Sequence, residues 1–522
     1  MNQPRMGNAF QNPQPLMPAF WASNGRWRAE HIAVESETGR LTWAELVARM
    51  NRVGRGLAAL GLEPGERVGL LMANDLSYVE ALMGTMAAGY VAVPLNPGVT
   101  DAALNVMLAD AEVGAVITTV EHAARLTPPA SVHNGALLCA EGDAGGSWRR
   151  YETWRDAQDA SPLEIELKPE MLCNIIYSSG TTGAPKGIVH TQGQRLVWTQ
   201  DVATVLRYYG GCKTLIITGL HSNITWVSLL ATLMTGGGLY VRRGFKAEEV
   251  TPLIERFGIT NVSAVPMQYQ RILETGGFDR YDTSSIRGMM CCGSPLPEQV
   301  KRAWLELFPH GFIELFGSTE GVATTLEPEE AMANIRSVGK PAPGAEIVIL
   351  GGDDQPVAAG EAGEIAGRTR WMMDGYWRRP DATAEATWID AQGRPWLRTG
   401  DIGRLDEHGY LFVFDRKKDM IVSGGQNIFP ADIEAVLQTH PDVFECAVIG
   451  VPDAKWGETP LAVVTPRNES ADSEALREWT NARVGKFQRL SRVVFLKDLP
   501  RNAAGKVLKR ELRQSLGALI DA

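Results

Sequence analysis

The first residues that could do chemistry are those of the segment YSSGTTGAPKG, residues 177–187, where small hydroxyl residues and glycines end in a lysine. Glycine lets backbone amides approach phosphate oxygens, and Lys186 adds a positive charge. The segment is not a Walker A loop, because Pro185 and Gly187 stand where that loop needs Gly and Ser or Thr. We predict a phosphate-binding loop rather than a plain surface turn. With Lys186 it comprises Ser178, Ser179, Gly180, Thr181, Thr182 and Gly183.

Further motifs follow this loop along the chain. They are FGSTEG at 316–321, GEI at 363–365, GY at 375–376, LRTGD at 397–401, DR at 415–416, SGGQNI at 423–428 and PRNAAGK at 500–506. In this combination and order the chain resembles the adenylate-forming superfamily of acyl-CoA synthetases, aryl-CoA ligases, luciferases and non-ribosomal adenylation domains. The resemblance covers roughly residues 40–515.

The resemblance implies a reaction in which a carboxylate attacks the α-phosphorus of ATP and pyrophosphate leaves. The transition state concentrates negative charge, so catalysis is expected to rest on positioning and electrostatic stabilisation. By resemblance, Lys186 holds the β- and γ-phosphates, Glu320 binds Mg²⁺, and Lys506 bridges the carboxylate and the α-phosphate. Thr319 serves the phosphate, and Asp401 accepts hydrogen bonds from both ribose hydroxyls.

The resemblance assigns other residues to the nucleotide, to coenzyme A and to the acid. The nucleotide set is Gly293, Ser294, Pro295, Glu314, Leu315, Phe316, Gly317, Ser318 and Arg416. The coenzyme A set is Ser423, Gly424 and Gly425, whose glycines leave room for the pantetheine arm. The acid-binding set is His221, Ser222, Asn223, Met267, Gln268, Cys292, Gly293 and Gly317. Lys418 matches the pivot of the small domain in this superfamily.

The step after adenylation separates the functions of the superfamily. Amino-acid-activating domains carry an Asp near residues 220–223, which this chain lacks, and the stretch after Lys506 is too short for a carrier domain. Free coenzyme A is therefore the expected acceptor. A stand-alone enzyme that loads a carrier protein and a luciferase-like oxygenase remain alternatives. A catalytically inactive ATP-sensing scaffold would be expected to lack Lys506, Glu320 or Asp401.

The far end of the acid is expected to be uncharged. No acidic residue near Asn223 could pair an ammonium group, and the candidate lining segments carry no basic cluster that could pair a second carboxylate. Burying an unpaired charge costs several kcal/mol. The sequence thus predicts an aryl, arylpropenoic or medium-chain acid, with Asn223 and Gln268 able to bind a ring hydroxyl or carbonyl.

The elements that must position these residues alternate along the chain. Helical spacing at 43–60 and 76–88 alternates with apolar strands at 67–72, 91–94 and 115–118. Such alternation indicates βαβ units and parallel sheets. Glycines and prolines after about residue 339 predict a β-rich subdomain, and the charged run 415–419 predicts a hinge.

We therefore predict an α/β fold. It comprises an N-terminal arm over 1–20, a large domain of βαβ-type sheets over 21–415 with its β-rich subdomain over about 340–415, and a small mobile α+β domain over 416–522.

Composition narrows the class further. The 522 residues are 44% hydrophobic and 21% charged with a net charge of -10, which excludes wholesale disorder and disfavours an electrostatic binder of nucleic acid or membranes. No signal peptide or transmembrane run is expected. Six scattered cysteines do not make a disulfide framework, so the expected compartment is the cytoplasm. The expected partners are ATP, coenzyme A and a small carboxylic acid, and a homodimer is left open.

Overall fold

The computed structural model describes residues 15–178, 185–424, 426–453, 455–468, 470–501 and 507–520. Several predicted site residues lie outside the described residues. They are Ser179, Gly180, Thr181, Thr182, Gly183, Gly425 and Lys506.

Helices and strands alternate through most of the chain. The helices are α1 (Met17–Trp27), α2 (Trp43–Ala59), α3 (Leu76–Ala87), α4 (Asp101–Asp110), α5 (Val120–Ala123), α6 (Tyr151–Asp156), α7 (Gln192–Val205), α8 (Asn223–Thr235), α9 (Ala247–Phe257), α10 (Pro266–Thr275), α11 (Glu298–Leu307), α12 (Pro328–Ala331), α13 (Pro380–Glu385), α14 (Pro430–Leu437), α15 (Ser473–Asn481) and α16 (Lys509–Ile520).

The strands, in chain order, are β1 (Ile32–Glu35), β2 (Arg40–Thr42), β3 (Arg67–Leu71), β4 (Val91–Pro94), β5 (Val113–Thr119), β6 (Leu137–Ala140), β7 (Arg149–Arg150), β8 (Leu172–Ser178), β9 (Lys186–Thr191), β10 (Lys213–Ile216), β11 (Gly238–Val241), β12 (Asn261–Ala264), β13 (Gly288–Cys291), β14 (Phe312–Gly317), β15 (Ala323–Leu326), β16 (Lys340–Pro341), β17 (Glu346–Leu350), β18 (Gly363–Arg368), β19 (Gly375–Tyr376), β20 (Thr387–Ile389), β21 (Pro395–Leu405), β22 (Leu411–Arg416), β23 (Ile421–Ser423), β24 (Gln426–Ile428), β25 (Val443–Asp453), β26 (Gly457–Pro466) and β27 (Arg492–Phe495).

Two large sheets form the frame of the first part of the chain. One has the strand order β16-β15-β14-β13-β12-β10-β11-β1-β2, and the other β19-β9-β8-β4-β3-β5-β6-β7. The central strands of both sheets run parallel, as the predicted alternation requires. Their residues are apolar on both faces because helices cover the sheets on each side, and β5 is buried throughout its length.

Two smaller sheets complete the described fold. Strands β17-β18-β21-β20, with β22 paired to β21, form an antiparallel sheet within the predicted β-rich subdomain. Strands β24-β23-β26-β25, with β27 paired to β26, form the sheet that follows the charged run. The helices α14, α15 and α16 pack on this last sheet and give it an apolar core of its own.

Local sequence explains where key helices begin. Thr42 and Glu45 form a capping box at the start of α2, and Thr191 and Gln194 form another at the start of α7. In each box the Thr hydroxyl accepts from a backbone amide of the first turn, which lacks a partner within the helix. The second box fixes the direction in which α7 leaves the β8–β9 hairpin.

The N-terminal arm is shorter than predicted. Residues 1–14 lie outside the described residues, but α1 begins at Met17, and both Met17 and Trp21 are fully buried in the main core. The preceding residues are rich in Asn and Gln, so the composition did not predict that Met17 and Trp21 would be buried. In the described part of the chain, no helix is both long and apolar enough to cross a bilayer.

Candidate active site

Four neighbouring strands of the first sheet deliver predicted site residues at one edge. In the order β10, β12, β13 and β14 they are parallel, so their carboxyl ends lie side by side. His221 follows β10, Met267 follows β12, Gly293 follows β13, and the FGSTEG motif begins within β14. The crevice at the carboxyl ends of parallel strands is the usual ligand site of open α/β sheets.

The ring of His221 sits in a space that Gly219 leaves open. A Cβ added to Gly219 would collide with the His221 ring. Asn74 holds the preceding loop, since its amide donates to Thr218 O at 2.8 Å and its Oδ1 accepts from the Leu220 amide at 2.8 Å. Burial lowers the pKa of His221 to about 4, so the imidazole is neutral at neutral pH.

The turn at 318–321 is clamped from a distant segment. The Thr369 hydroxyl donates to Gly321 O at 2.8 Å, and the Met373 amide donates to Glu320 O at 2.8 Å. Gly321 has φ +125, and a Cβ there would lie 2.6 Å from Met372 Cα. The turn therefore requires glycine for both its backbone conformation and its packing.

Lys186, Tyr376 and Glu320 form a small array beside this turn. The Lys186 ammonium lies 5.1 Å from the centre of the Tyr376 ring, and the Tyr376 hydroxyl donates to Glu320 Oε1 at 3.0 Å. Burial and the nearby Glu320 carboxylate raise the pKa of Tyr376, which keeps the phenol a donor. The structure thus brings the predicted phosphate-binding lysine and the predicted Mg²⁺ ligand together.

Glu320 suits a hard cation. In the described residues its carboxylate has no Lys or Arg ion pair. Of the two carboxylate oxygens, only Oε1 accepts a hydrogen bond from a described residue. Mg²⁺ commonly takes one or two carboxylates and fills its remaining positions with substrate phosphates and water. No group of three or more His, Cys, Asp and Glu side chains in the described residues forms a cage made of protein alone. A magnesium ion held jointly with ATP fits this arrangement.

Two of the predicted site residues carry a buried polar atom that lacks a partner among the described residues. Within the described chain, Ser318 Oγ and Asn223 Oδ1 are buried and have no hydrogen-bond partner. Such atoms are costly unless a ligand satisfies them. They lie in the predicted nucleotide set and the predicted acid-binding set. Gly317 carries no side chain because a Cβ would come within 2.5 Å of Val322 O.

Asp401 and Arg416 meet on neighbouring strands. They face each other in the β21–β22 register, and Arg416 Nε lies 2.8 Å from Asp401 Oδ1. Arg416 Nη1 also donates to Thr399 O at 3.1 Å. The two residues predicted to hold the nucleotide are therefore adjacent and mutually oriented.

Two predicted ligand contacts need correction. The Glu314 carboxylate points into the core, where it forms a buried ion pair with Lys301, so only its backbone is left to lie along a nucleotide. Gln268 is also occupied, because its Oε1 accepts from the Val265 amide at 3.1 Å and its Nε2 donates to Ile217 O at 3.2 Å. Its amide caps α10 and joins that helix to β10 instead of binding a ring substituent.

The remaining predicted residues differ in exposure. Leu315 and Phe316 are partly buried and pack on different cores, whereas Pro295 is exposed and Ser294 is partly exposed. Cys292 and Ser423 are buried. Ser222 is the N-cap residue of α8, and Ser178 pairs with Lys186 across the β8–β9 ladder. The structure leaves their ligand roles as predictions.

The small C-terminal sheet meets the large part of the chain at α10. Arg467 Nη1 lies 3.5 Å from Glu274 Oε1. Burial and the positive charge of Arg271 lower the pKa of Arg501, the second residue of the lysine motif. Gly424, by contrast, donates its amide to Trp456 O at 2.8 Å within its own sheet region. Arg501 itself pairs with Glu445 of β25, within the small sheet.

Several residues around the site were not predicted. Asn74, Thr369, Met373 and Tyr376 orient the loops, and His190 Nε2 lies 3.0 Å from Thr319 O. Tyr376 belongs to the GY motif at 375–376, and this motif was the sequence signal that could have identified it. Asn74 and Thr369 lie far from the site in sequence, so nothing local points to them.

Comparisons with known proteins agree with this geometry. The profile of AMP-binding enzymes matches residues 20–377, and that of the AMP-binding enzyme C-terminal domain matches residues 432–506. A feruloyl-CoA synthase of Amycolatopsis is 35% identical over 482 residues, covering 91% of this chain and 94% of the relative. A 2-succinylbenzoate–CoA ligase of Geobacillus kaustophilus is 33% identical over 517 residues, covering 95% and 98%.

A solved structure gives the same result for the fold. The anthranilate CoA ligase AuaEII, crystallised with anthranoyl-AMP, superposes with a TM-score of 0.87 at 25% identity, covering 97% of this chain and 98% of that one. The predicted α/β class with a smaller C-terminal domain is confirmed, as is the predicted superfamily. The chain therefore belongs to the AMP-binding enzyme family and is an AMP-forming acyl- or aryl-CoA ligase.

Proposed function

We propose that the chain activates an aryl or arylpropenoic acid as its adenylate and transfers the acyl group to coenzyme A. The observation that carries the proposal is the array of Lys186, Tyr376 and Glu320 beside the edge where His221 lies. Similar proteins named for feruloyl, 2-succinylbenzoate and anthranilate substrates support an aromatic acid. The unpartnered Asn223 Oδ1 supports a ring substituent that donates a hydrogen bond.

The side chains divide the work of the first half-reaction. A carboxylate oxygen bonds to the α-phosphorus while the bond to the pyrophosphate oxygen breaks, and the leaving group takes the electron pair. Lys186 balances the charge of the departing phosphates, and Lys506 does the same at the α-phosphate. His221 is neutral and orients the acid without adding charge. Asp401, aligned by Arg416, holds the ribose.

Mg²⁺, held by Glu320, supplies charge neutralisation at the phosphates when bound. The second half-reaction uses the glycine turn at 423–425 as the path of the pantetheine arm. All six cysteines are free and buried, which fits a reducing compartment, and we place the enzyme in the cytoplasm on that ground.

Pyrophosphate release tests this function directly. The panel is cinnamate, ferulate, benzoate, anthranilate, octanoate, acetate and phenylalanine, each with and without coenzyme A. We expect kcat/KM for the best aryl acid to exceed that for acetate or phenylalanine at least about tenfold, equivalent to roughly 1.4 kcal/mol. Coenzyme A should yield AMP and a thioester. Acetate as the best acid, or an adenylate that coenzyme A does not consume, would contradict the proposal.

A further inference from the structure

Arg195 is a buried cation that has no anionic partner among the described residues. It lies in the first turns of α7 and is 1% exposed. Its Nε donates to Asn174 Oδ1 at 2.6 Å, and its Nη2 lies 3.2 Å from His190 Nδ1. Both partners are neutral side chains, and none of the described carboxylates forms an ion pair with the guanidinium. An arginine has five N–H donors, and the described residues accept from only two of its nitrogens, Nε and Nη2.

The surroundings of Arg195 do not neutralise it. Its guanidinium carbon lies 4.7 Å from the Trp198 ring and 5.3 Å from the Trp226 ring. Cation–π attraction to the aromatic rings offsets only part of the cost of burying the charge, and the partial positive charge at the amino end of the helix adds to that cost. Burial lowers the pKa of Arg195 to about 9, which leaves it charged at neutral pH. Asp201, further along α7, is occupied by Arg370 and Trp371.

Arg195 lies between the two loops that frame the site. On one side, His190 joins it to the backbone of the FGSTEG turn, since Nε2 of His190 lies 3.0 Å from Thr319 O. On the other side, the Trp226 indole donates to Leu220 O at 2.8 Å, directly before His221. The guanidinium therefore sits between the loops that bring Thr319 and His221 to the acid.

We propose that Arg195 binds an anionic group, a second carboxylate, of the acid, so that dianionic aryl acids are the preferred substrates. The inference rests on the proposed function and deepens it. It also revises the expectation of an uncharged tail, because that expectation considered only the loops after the strands. Arg195 lies on a helix that follows the phosphate loop, outside those segments.

The energetics favour a carboxylate over a neutral isostere. An unpaired buried charge is unfavourable in the empty enzyme, and a carboxylate would accept the unused N–H groups while cancelling the charge. A carboxamide of the same shape can accept a hydrogen bond but cancels no charge. The two groups should therefore differ strongly in a water-poor site that contains Arg195.

Matched acid pairs test the proposal. The pairs are 3- and 4-carboxycinnamate against the corresponding carbamoylcinnamates, and benzene-1,3- and 1,4-dicarboxylate against their monoamides. Pyrophosphate release gives kcat/KM for each. We expect the wild-type enzyme to prefer the dianionic member of at least one pair by tenfold or more. Arg195→Gln should remove that preference, mainly by raising the KM of the dianion.

Controls separate this binding role from a structural one. Arg195→Lys keeps the charge and should retain part of the preference, whereas Arg302→Gln on the exposed face of α11 should retain all of it. Equal kcat/KM within every wild-type pair overturns the proposal without any variant. Equal losses for both members in Arg195→Gln overturn it as well. Failure of every aryl acid to release pyrophosphate would instead refute the proposed function.

Discussion

Among the described residues, one neutral donor orients the carboxylate of Glu320, and its other oxygen has no hydrogen-bond partner. Tyr376 donates to Oε1, and the Lys186 ammonium lies on the face of the same phenol ring. A carboxylate neutralised by a lysine would be a poor magnesium ligand, because the metal would have to displace the cation. In the observed arrangement Lys186 and Glu320 both contact Tyr376 and do not pair with each other. Lys186 can therefore bind a phosphate, and Glu320 can bind the metal.

Replacing Glu320 should therefore weaken the metal-dependent step. We expect Glu320→Gln to lower kcat/KM for adenylation at least about 100-fold, roughly 2.7 kcal/mol, and to raise the Mg²⁺ concentration needed for half-maximal rate. Pyrophosphate release at graded Mg²⁺ measures both effects. Glu330→Gln, which alters a surface pair with Lys340, is the matched control. An unchanged Mg²⁺ midpoint in Glu320→Gln would remove Glu320 from the metal site.

The buried histidines make stability depend on pH. The folded-state pKa of His221 is about 4, and burial also lowers that of His190, so the unfolded chain binds protons that the folded chain does not. The free energy of unfolding should fall as pH falls from about 6.5 towards 4, by up to about 1.4 kcal/mol per pH unit for each histidine.

Urea denaturation at pH 6.5, 5.5 and 4.5 measures this slope. His221→Asn should make it shallower by about the share of one histidine, and His408→Asn, at an exposed site, should leave it unchanged. A slope that is the same in wild type and His221→Asn would show that the His221 ring is protonated in the folded enzyme.

At the scale of elements, the turn after β14 depends on a segment about fifty residues away. Thr369 and Met373 bond its carbonyls, and Met372 packs where a Gly321 side chain would be. Gly321→Ala should thus displace Thr319 and Glu320 as well as strain the backbone. We expect adenylation to slow at least about tenfold, because misplacing catalytic groups by an ångström has effects of this order or larger.

Gly393 offers the matched control for Gly321. Its φ is +75, but nothing lies within 4 Å of an added Cβ, so Gly393→Ala has backbone strain without crowding. We expect a loss of about 1 kcal/mol in stability and no loss of activity. Equal kcat in Gly321→Ala and wild type would show that the packing of Met372 does not position the turn.

Sequence patterns predicted the elements that rest on local signals. Strand β4 occurs with the predicted bounds and β3 within one residue of them, because a short apolar run between glycines or helices has few alternatives. Short apolar runs also precede several of the site motifs, which is why these motifs lie at the ends of strands. The side-chain direction of Gln268 and Glu314 was not predictable, because it depends on β10 and α11, which reach them only in the folded chain. Arg195 was missed because charge buried by tertiary packing leaves no periodic signal.

At the scale of the whole molecule, Lys418 lies between two anchored neighbours. The Lys417 amide donates to Gly400 O at 2.9 Å, which ties it to the β-rich sheet, and Asp419 Oδ1 accepts from Arg513 of α16 at 2.9 Å. In the described residues, Lys418 forms no ion pair. Lys418 lies inside a turn closed by the Asp419 and Met420 amides, which both donate to Arg416 O, and a change of its dihedral angles would move one anchored side against the other, as a pivot requires.

Lys418→Pro fixes φ and removes an amide donor. We expect thioester formation to lose more activity than adenylate formation, at least about tenfold more, when each step is measured in single-turnover assays. Lys418→Ala leaves the backbone free and is the control. Unchanged turnover in the proline variant would remove Lys418 from the hinge.

The lysine motif gives the strictest test of domain alternation. Arg501, in its described part, pairs with Glu445 of β25, so this part of the motif belongs to the small sheet. If Lys506 serves only the adenylation orientation, Lys506→Ala should reduce pyrophosphate release at least about 1,000-fold. The rate of thioester formation from a supplied acyl-adenylate should change less than about threefold. Lys497→Ala, an exposed lysine of the same region, should change neither rate. Equal losses in both steps would mean that one orientation performs both half-reactions, and the hinge at Lys418 would then have no catalytic purpose.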